Sequence, residues 1–100
     1  MPLEPVLDLI RDARARGYAV GYFESWNLES LQGAMDAAEA ARSPILIGFN
    51  GQFLSGPGRR APERLAWYAA LGAEAARSSP VPCGLVFNER SEERRVGKEC

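Results

Sequence analysis

An α/β fold built on a parallel sheet is what this chain of 100 residues predicts, and three observations carry that reading. Apolar residues recur at helical spacing in three stretches, short β-rich runs follow each of them, and the resulting order is α, then β-α-β-α-β. Two of the runs, "PILIGFN" and "CGLVF", are nearly continuous apolar segments, as strands covered on both faces require. Right-handed crossovers between such strands put the helices outside the sheet. Periodicity alone suits a Rossmann-like sheet and a barrel equally.

Each element has its own signal. Leu3, Val6, Leu7, Ile10 and Ala13 recur at three and four residues, which predicts one apolar helical face, and Gly17 supplies a C-terminal stop. The β-rich run Tyr18 to Phe23 predicts the first strand. Asn27 is a fitting N-cap for a second helix from Leu28 to about Arg42, with Leu28, Leu31, Met35 and Ala38 along one stripe. Pro44 closes that helix and opens the second strand. A Gly- and Pro-rich loop spans Gly51 to Arg60, and a third helix begins near Pro62, carrying Leu65, Tyr68, Ala69, Leu71 and Gly72 towards Ala76. "SSPVP" breaks it before the third strand, "CGLVF".

The pattern stops at Glu89. From Arg90 onward the chain is a charge run without apolar periodicity, and the codons of a widely used DNA-sequencing adapter translate to Arg90 through Cys100 without a mismatch. Residues 90–100 therefore read as a non-biological tail, and residues 1–89 as the N-terminal fragment of a longer protein. A solvated charged tail is the plainer alternative. Within residues 1–89, eight arginines and no lysine face ten acidic side chains, a formal charge of −2. No basic stripe is interleaved with aromatics, which argues against nucleic acid as a partner. The first apolar stretch contains acids and arginines, unlike a signal peptide, and no run approaches the roughly 18 apolar residues of a membrane span. A soluble cytoplasmic protein is the expectation. Cys83 has no partner at metal or redox spacing, and the chain contains no histidine.

In either architecture ligands bind at the C-terminal ends of the strands. Glu24, Ser25, Trp26 and Asn27 stand there after the first strand, Asn50, Gly51 and Gln52 after the second, and Asn88 and Glu89 after the third. Adjacent strands in register would gather them into one cluster of carboxylates and carboxamides, suited to polyols or phosphorylated sugars. Plainer roles compete: Asn27 as a cap, Asn50 before Gly51 as a turn, Trp26 as rim packing, Arg59 and Arg60 as solvated charges. No phosphate-cradling glycine fingerprint is present.

"GYAVGYFESWNLESLQGAMDAAEAARSPILIGFNG" resembles the N-terminal part of class II, metal-dependent fructose-bisphosphate and ketose-bisphosphate aldolases, through "GYAVG" and "AAEAARSPILI" at matching spacing. The likeness runs from Leu3 to about Glu89. It implies a TIM (β/α)8 barrel, of which the leading helix and about three strands are present. It further implies a parent that is an aldehyde-lyase of carbohydrate metabolism, such as glycolysis. That parent would cleave a sugar phosphate with a divalent metal, zinc, and be a homo-oligomer. Set against the family's third strand, "VPCGLVFNE" puts Asn88 at the position of the proton-transferring aspartate and Glu89 at that of a zinc-ligating histidine. Asn50 stands where a serine near the substrate phosphate is common, and Glu24 replaces an asparagine. Asn88 cannot exchange a proton as a carboxylate does, and an oxygen ligand at Glu89 suits a harder metal. With no lysine in residues 1–89, a Schiff base has no starting point here. An alternative that these departures raise is a non-catalytic sugar-phosphate-binding barrel of the same superfamily, and a generic α/β fragment of unrelated function is a third reading.

Overall fold

A computed structural model describes residues 3–51 and 64–88. Helix α1 spans Val6–Arg16, strand β1 Tyr22–Ser25, helix α2 Leu28–Ala41, strand β2 Ile45–Asn50, helix α3 Leu65–Arg77 and strand β3 Cys83–Asn88. The strands form one parallel sheet in the order β1-β2-β3. The register aligns Ser25 with Phe49 and Phe87. This is the α, then β-α-β-α-β order that the sequence predicts.

The two faces of the sheet are unlike. Ile45, Ile47, Phe49 and Cys83 project to one side, where Leu31 and Ala38 of α2 and Ala76 of α3 join them in a buried core. Phe49 is fully buried and lies against Tyr68, with ring centroids 4.8 Å apart. Burying such side chains contributes roughly 1.5–3 kcal/mol each. Tyr22, Glu24, Leu46, Gly48, Gly84 and Val86 alternate to the other side. Helix α1 covers only the lower end of that second face, where Leu9 and Val6 lie over Gly84 beside Leu46.

Three expectations need correction. Strand β1 starts at Tyr22 rather than Tyr18, because the Tyr18 amide donates to the Ala13 carbonyl and its hydroxyl to Asp12, which ties Tyr18 to the end of α1. The ladder begins only where the Leu46 amide reaches the Gly21 carbonyl. Helix α1 excludes Leu3, which is held in a bridge to Cys83 while the Glu4 amide donates to the Cys83 carbonyl. Its buried residues are Leu9 and Ala13, while Leu7 and Ile10 are 59% and 43% exposed. Leu28, placed on the α2 stripe, is also exposed. Gly17 does end α1, in the left-handed region at φ 77°. The start of the third helix near Pro62, the glycine-rich loop and the tail from Glu89 lie outside the described residues.

Candidate functional site

Strand polarity decides what the C-terminal edge of the sheet presents. Asn50 ends β2 and pairs in register with Asn88, the last residue of β3. Glu24 sits one step lower, level with Gly48. By strand geometry the Glu24 and Asn50 Cα atoms are about 8 Å apart, one strand across and two residues along. Gly51, just past Asn50, is buried.

Glu24 does not stand alone. Tyr22, two residues earlier on the same face, donates its hydroxyl to Glu24 Oε1 at 3.3 Å. The tyrosine's pKa is raised above its usual 10.0, first by burial and then by the neighbouring carboxylate, so its hydroxyl keeps the donating proton. Its ring fits there because Gly48 has no side chain: a Cβ at Gly48 would lie 3.1 Å from the ring and run into the Val86 carbonyl oxygen.

Asn27 caps helix α2. Its side chain accepts from the Ser30 amide at 2.8 Å, and the Ser30 hydroxyl accepts from the Asn27 amide, a reciprocal capping box at the start of α2. The local signal for a cap is therefore fulfilled. Trp26 is half-exposed; its amide donates to the Ser30 hydroxyl and its carbonyl accepts from Tyr68 at 3.5 Å. The hydroxyl of Ser25 is buried without a hydrogen-bond partner among the described residues, on the helix-covered side of β1.

The structure thus brings Glu24, Asn50 and Asn88 to one edge, with Gly51 beside them, and turns Asn27 into a helix cap. Glu89, Gln52, Arg59 and Arg60 lie outside the described residues. Sequence reading missed Tyr22 and Gly48. The spacing Tyr-x-Glu in a strand, which places both side chains on one face, was the available signal.

A divalent metal needs several converging ligands, four for a structural or catalytic zinc counting water. Among the described residues no three His, Cys, Asp or Glu side chains converge, and the chain has no histidine. Cys83 begins β3, at the end opposite Asn88, and burial pushes its thiol up from 9.0 to about 11. The described residues do not by themselves fit a metal centre.

Comparison with known proteins adds a family and a template. The sequence profile described as "Fructose-bisphosphate aldolase class-II" matches residues 4–86. Over 43 residues the chain is 46% identical to the uncharacterized protein YdjI of Escherichia coli K12, covering 43% of this chain and 16% of that one. It is 37% identical over 59 residues to the probable fructose-bisphosphate aldolase of Bacillus subtilis, covering 56% and 21% of the two chains. With the fructose-bisphosphate aldolase of Thermus caldophilus it shares 41% over 44 residues, covering 44% and 14%. The crystal structure of the YdjI aldolase from Escherichia coli K12 superimposes with a TM-score of 0.73 at 29% identity, over 91% of this chain and 34% of that one. The chain spans between 14% and 34% of the length of these proteins.

Proposed function

The chain belongs to the class-II fructose-bisphosphate aldolase family, and from that premise we propose that it supplies the first strands of a larger aldehyde-lyase. Its parent reversibly cleaves a ketose bisphosphate or a related sugar phosphate, assisted by a metal. One observation carries the reading: the likeness to a solved TIM-barrel aldolase extends over 91% of this chain, so β1 to β3 correspond to barrel strands and their second face is the barrel's inner wall.

From that wall the chain's own residues have defined work. Glu24 is an acceptor for ligand hydroxyls. Asn50 and Asn88 each carry an amide that both donates and accepts, which suits orienting a carbonyl or a hydroxyl but not moving a proton. Asn50 and Asn88 therefore leave proton transfer to other residues of the parent, and the described residues cannot by themselves complete a metal's ligand set. When bound, the metal would stabilise negative charge developing on the substrate oxygen. Residues 90–100 stand apart from this assignment as translated adapter, and residues 1–89 as the natural N-terminal part. Location in the cytoplasm and assembly into a homo-oligomer belong to the same proposal; no helix among the described residues is long and apolar enough to cross a membrane.

Sequencing the source gene past the codon for Glu89, then expressing the complete protein and assaying triose phosphate release from ketose bisphosphates with and without chelator, tests this. The expected result is an open reading frame that continues in place of Arg90–Cys100 and a cleavage activity lost on chelation. A genomic stop after Cys100, or a complete protein that binds sugar phosphates without cleaving them, overturns it; the second outcome would establish the non-catalytic barrel instead.

A further inference from the structure

We propose that the groove between α2 and α3 receives helix α1 of a second copy of the protein. Both helices pack chiefly on the sheet, and between them an open groove of about 300 Å³ is lined by Leu28, Met35, Glu39, Leu71, Glu74 and Ala75 among others. Elements added beyond β1 or β3 would pack on the far sides of α2 and α3, which leaves this groove on the surface. Its two ends differ. Leu28, which is 58% exposed, Met35 and Leu71 make the stretch nearer the helix N-termini apolar. Glu39 and Glu74 are exposed further along the two helices.

Helix α1 carries the matching pattern. Leu7, Ile10, Arg11 and Arg14 follow the spacing of a single helical stripe, and all of them are exposed. The stripe is turned away from Leu9 and Ala13, which are buried on the other side of the helix. The proposal rests on the barrel reading above, in which α1 closes the lower end of the inner wall and this stripe faces away from the barrel.

Charge and order select the occupant. On both surfaces the apolar residues come first along the helix and the charges follow: Ile10 to Arg14 and Met35 to Glu39 are each one step of four residues, about 6 Å of helix. A second copy's α1 laid parallel to α2 therefore sets Leu7 and Ile10 on Leu28, Met35 and Leu71, and Arg11 and Arg14 beside Glu39 and Glu74. An antiparallel approach would lay the arginines over the apolar stretch instead. Glu74 meets Arg77 of its own helix at 3.4 Å, but both side chains are exposed, and such a surface pair holds its partners weakly. Because α1 and the groove are different surfaces, the contact is heterologous, and three or more copies close it into a ring.

Analytical ultracentrifugation of the complete protein tests this without requiring turnover. The unsubstituted protein is expected to sediment as three or more copies, with a half-dissociation concentration that rises in high salt. Arg11→Glu with Arg14→Glu in one variant, and Glu39→Arg with Glu74→Arg in another, should each raise that concentration by about tenfold or more, with little change in Tm. Arg11→Gln with Arg14→Gln, milder on the helix, should shift it the same way by less. An equimolar mixture of the two charge-reversed variants should assemble again, since each supplies the surface that the other has lost. A monomer or a closed two-copy dimer at all concentrations, an assembly that either reversal leaves intact, or a mixture no better than its components overturns the proposal. Assembly of this kind in a protein that cleaves no sugar phosphate keeps the interface and overturns the lyase reading; a lyase that stays monomeric does the reverse.

Discussion

An added methyl at Gly48 points at the carbonyl oxygen of Val86 on the neighbouring strand, and that obstacle is backbone rather than a side chain able to swing away. The same methyl would press on the Tyr22 ring at 3.1 Å, so one substitution strains both the β2-β3 ladder and the seat of Glu24. Overpacking in a filled interior typically costs 1–3 kcal/mol, and sometimes more. Gly48→Ala in the complete protein is expected to cost about 3 kcal/mol and lower the urea midpoint accordingly; a change under about 0.5 kcal/mol would show that the strands part easily here. The contrast with Asn50 explains what a sequence shows at this scale. Asn50 was legible as the polar end of β2 because polarity at the end of an apolar strand is visible in the string itself. Gly48 was not, because its constraint comes from a residue 38 positions later.

Capping works at the next scale, and it is local enough to be read in advance. Asn27 and Ser30 exchange hydrogen bonds at the start of α2, and the Ser30 hydroxyl also accepts from Trp26 and donates to the Asn27 carbonyl. At the other end Arg42 adopts the left-handed region at φ 53°, and its amide and that of Ser43 satisfy the last carbonyls of the helix. Asn27→Ala should cost about 1 kcal/mol, within the usual range for losing a cap, read as a lower urea midpoint with an unchanged slope. Asn27→Asp should recover most of it, since a carboxylate also accepts and suits a helix N-terminus. Equal loss in both variants would mean that Asn27 acts through something other than its acceptor oxygen. Both helix ends lie within a few residues of the groups that satisfy them, and so both were read close to where they fall. The start of β1 was misplaced by four residues for the opposite reason, since it is set by where the Leu46 amide meets the Gly21 carbonyl, 25 positions apart. The apolar face of α1 was misread similarly. The predicted face ran through Leu7 and Ile10, whereas the helix, which follows the Leu3 bridge to Cys83, buries Leu9 and Ala13.

For the molecule as a whole, the question is how residues 1–89 behave on their own. The order and parallel sense of the strands were legible, because alternation of strand and helix dictates them; barrel or open sheet was not, because closure is decided by strands that must meet β1 and β3 from their outer sides. Among the described residues β1 pairs only with β2, and the outer side of β3 is met only at its start, through Leu3 and Glu4. Beside β1, a cavity of about 220 Å³ is lined by Phe23, Ala34, Ala37, Ala41 and Ile45. Leu7 and Ile10 of α1 are exposed as well. An unpaired parallel edge flanked by apolar surface is a template for other chains. Because β1 and β3 differ, copies would add head to tail, joining the β3 edge of one to the β1 edge of the next, which need not close. Purified residues 1–89 are therefore expected to self-associate at micromolar concentration, seen by light scattering as mass growing with concentration, and to unfold over a broad urea range. A monomer with one sharp transition would mean that α1 and the helix-covered core outweigh sheet edges that the described residues leave largely open.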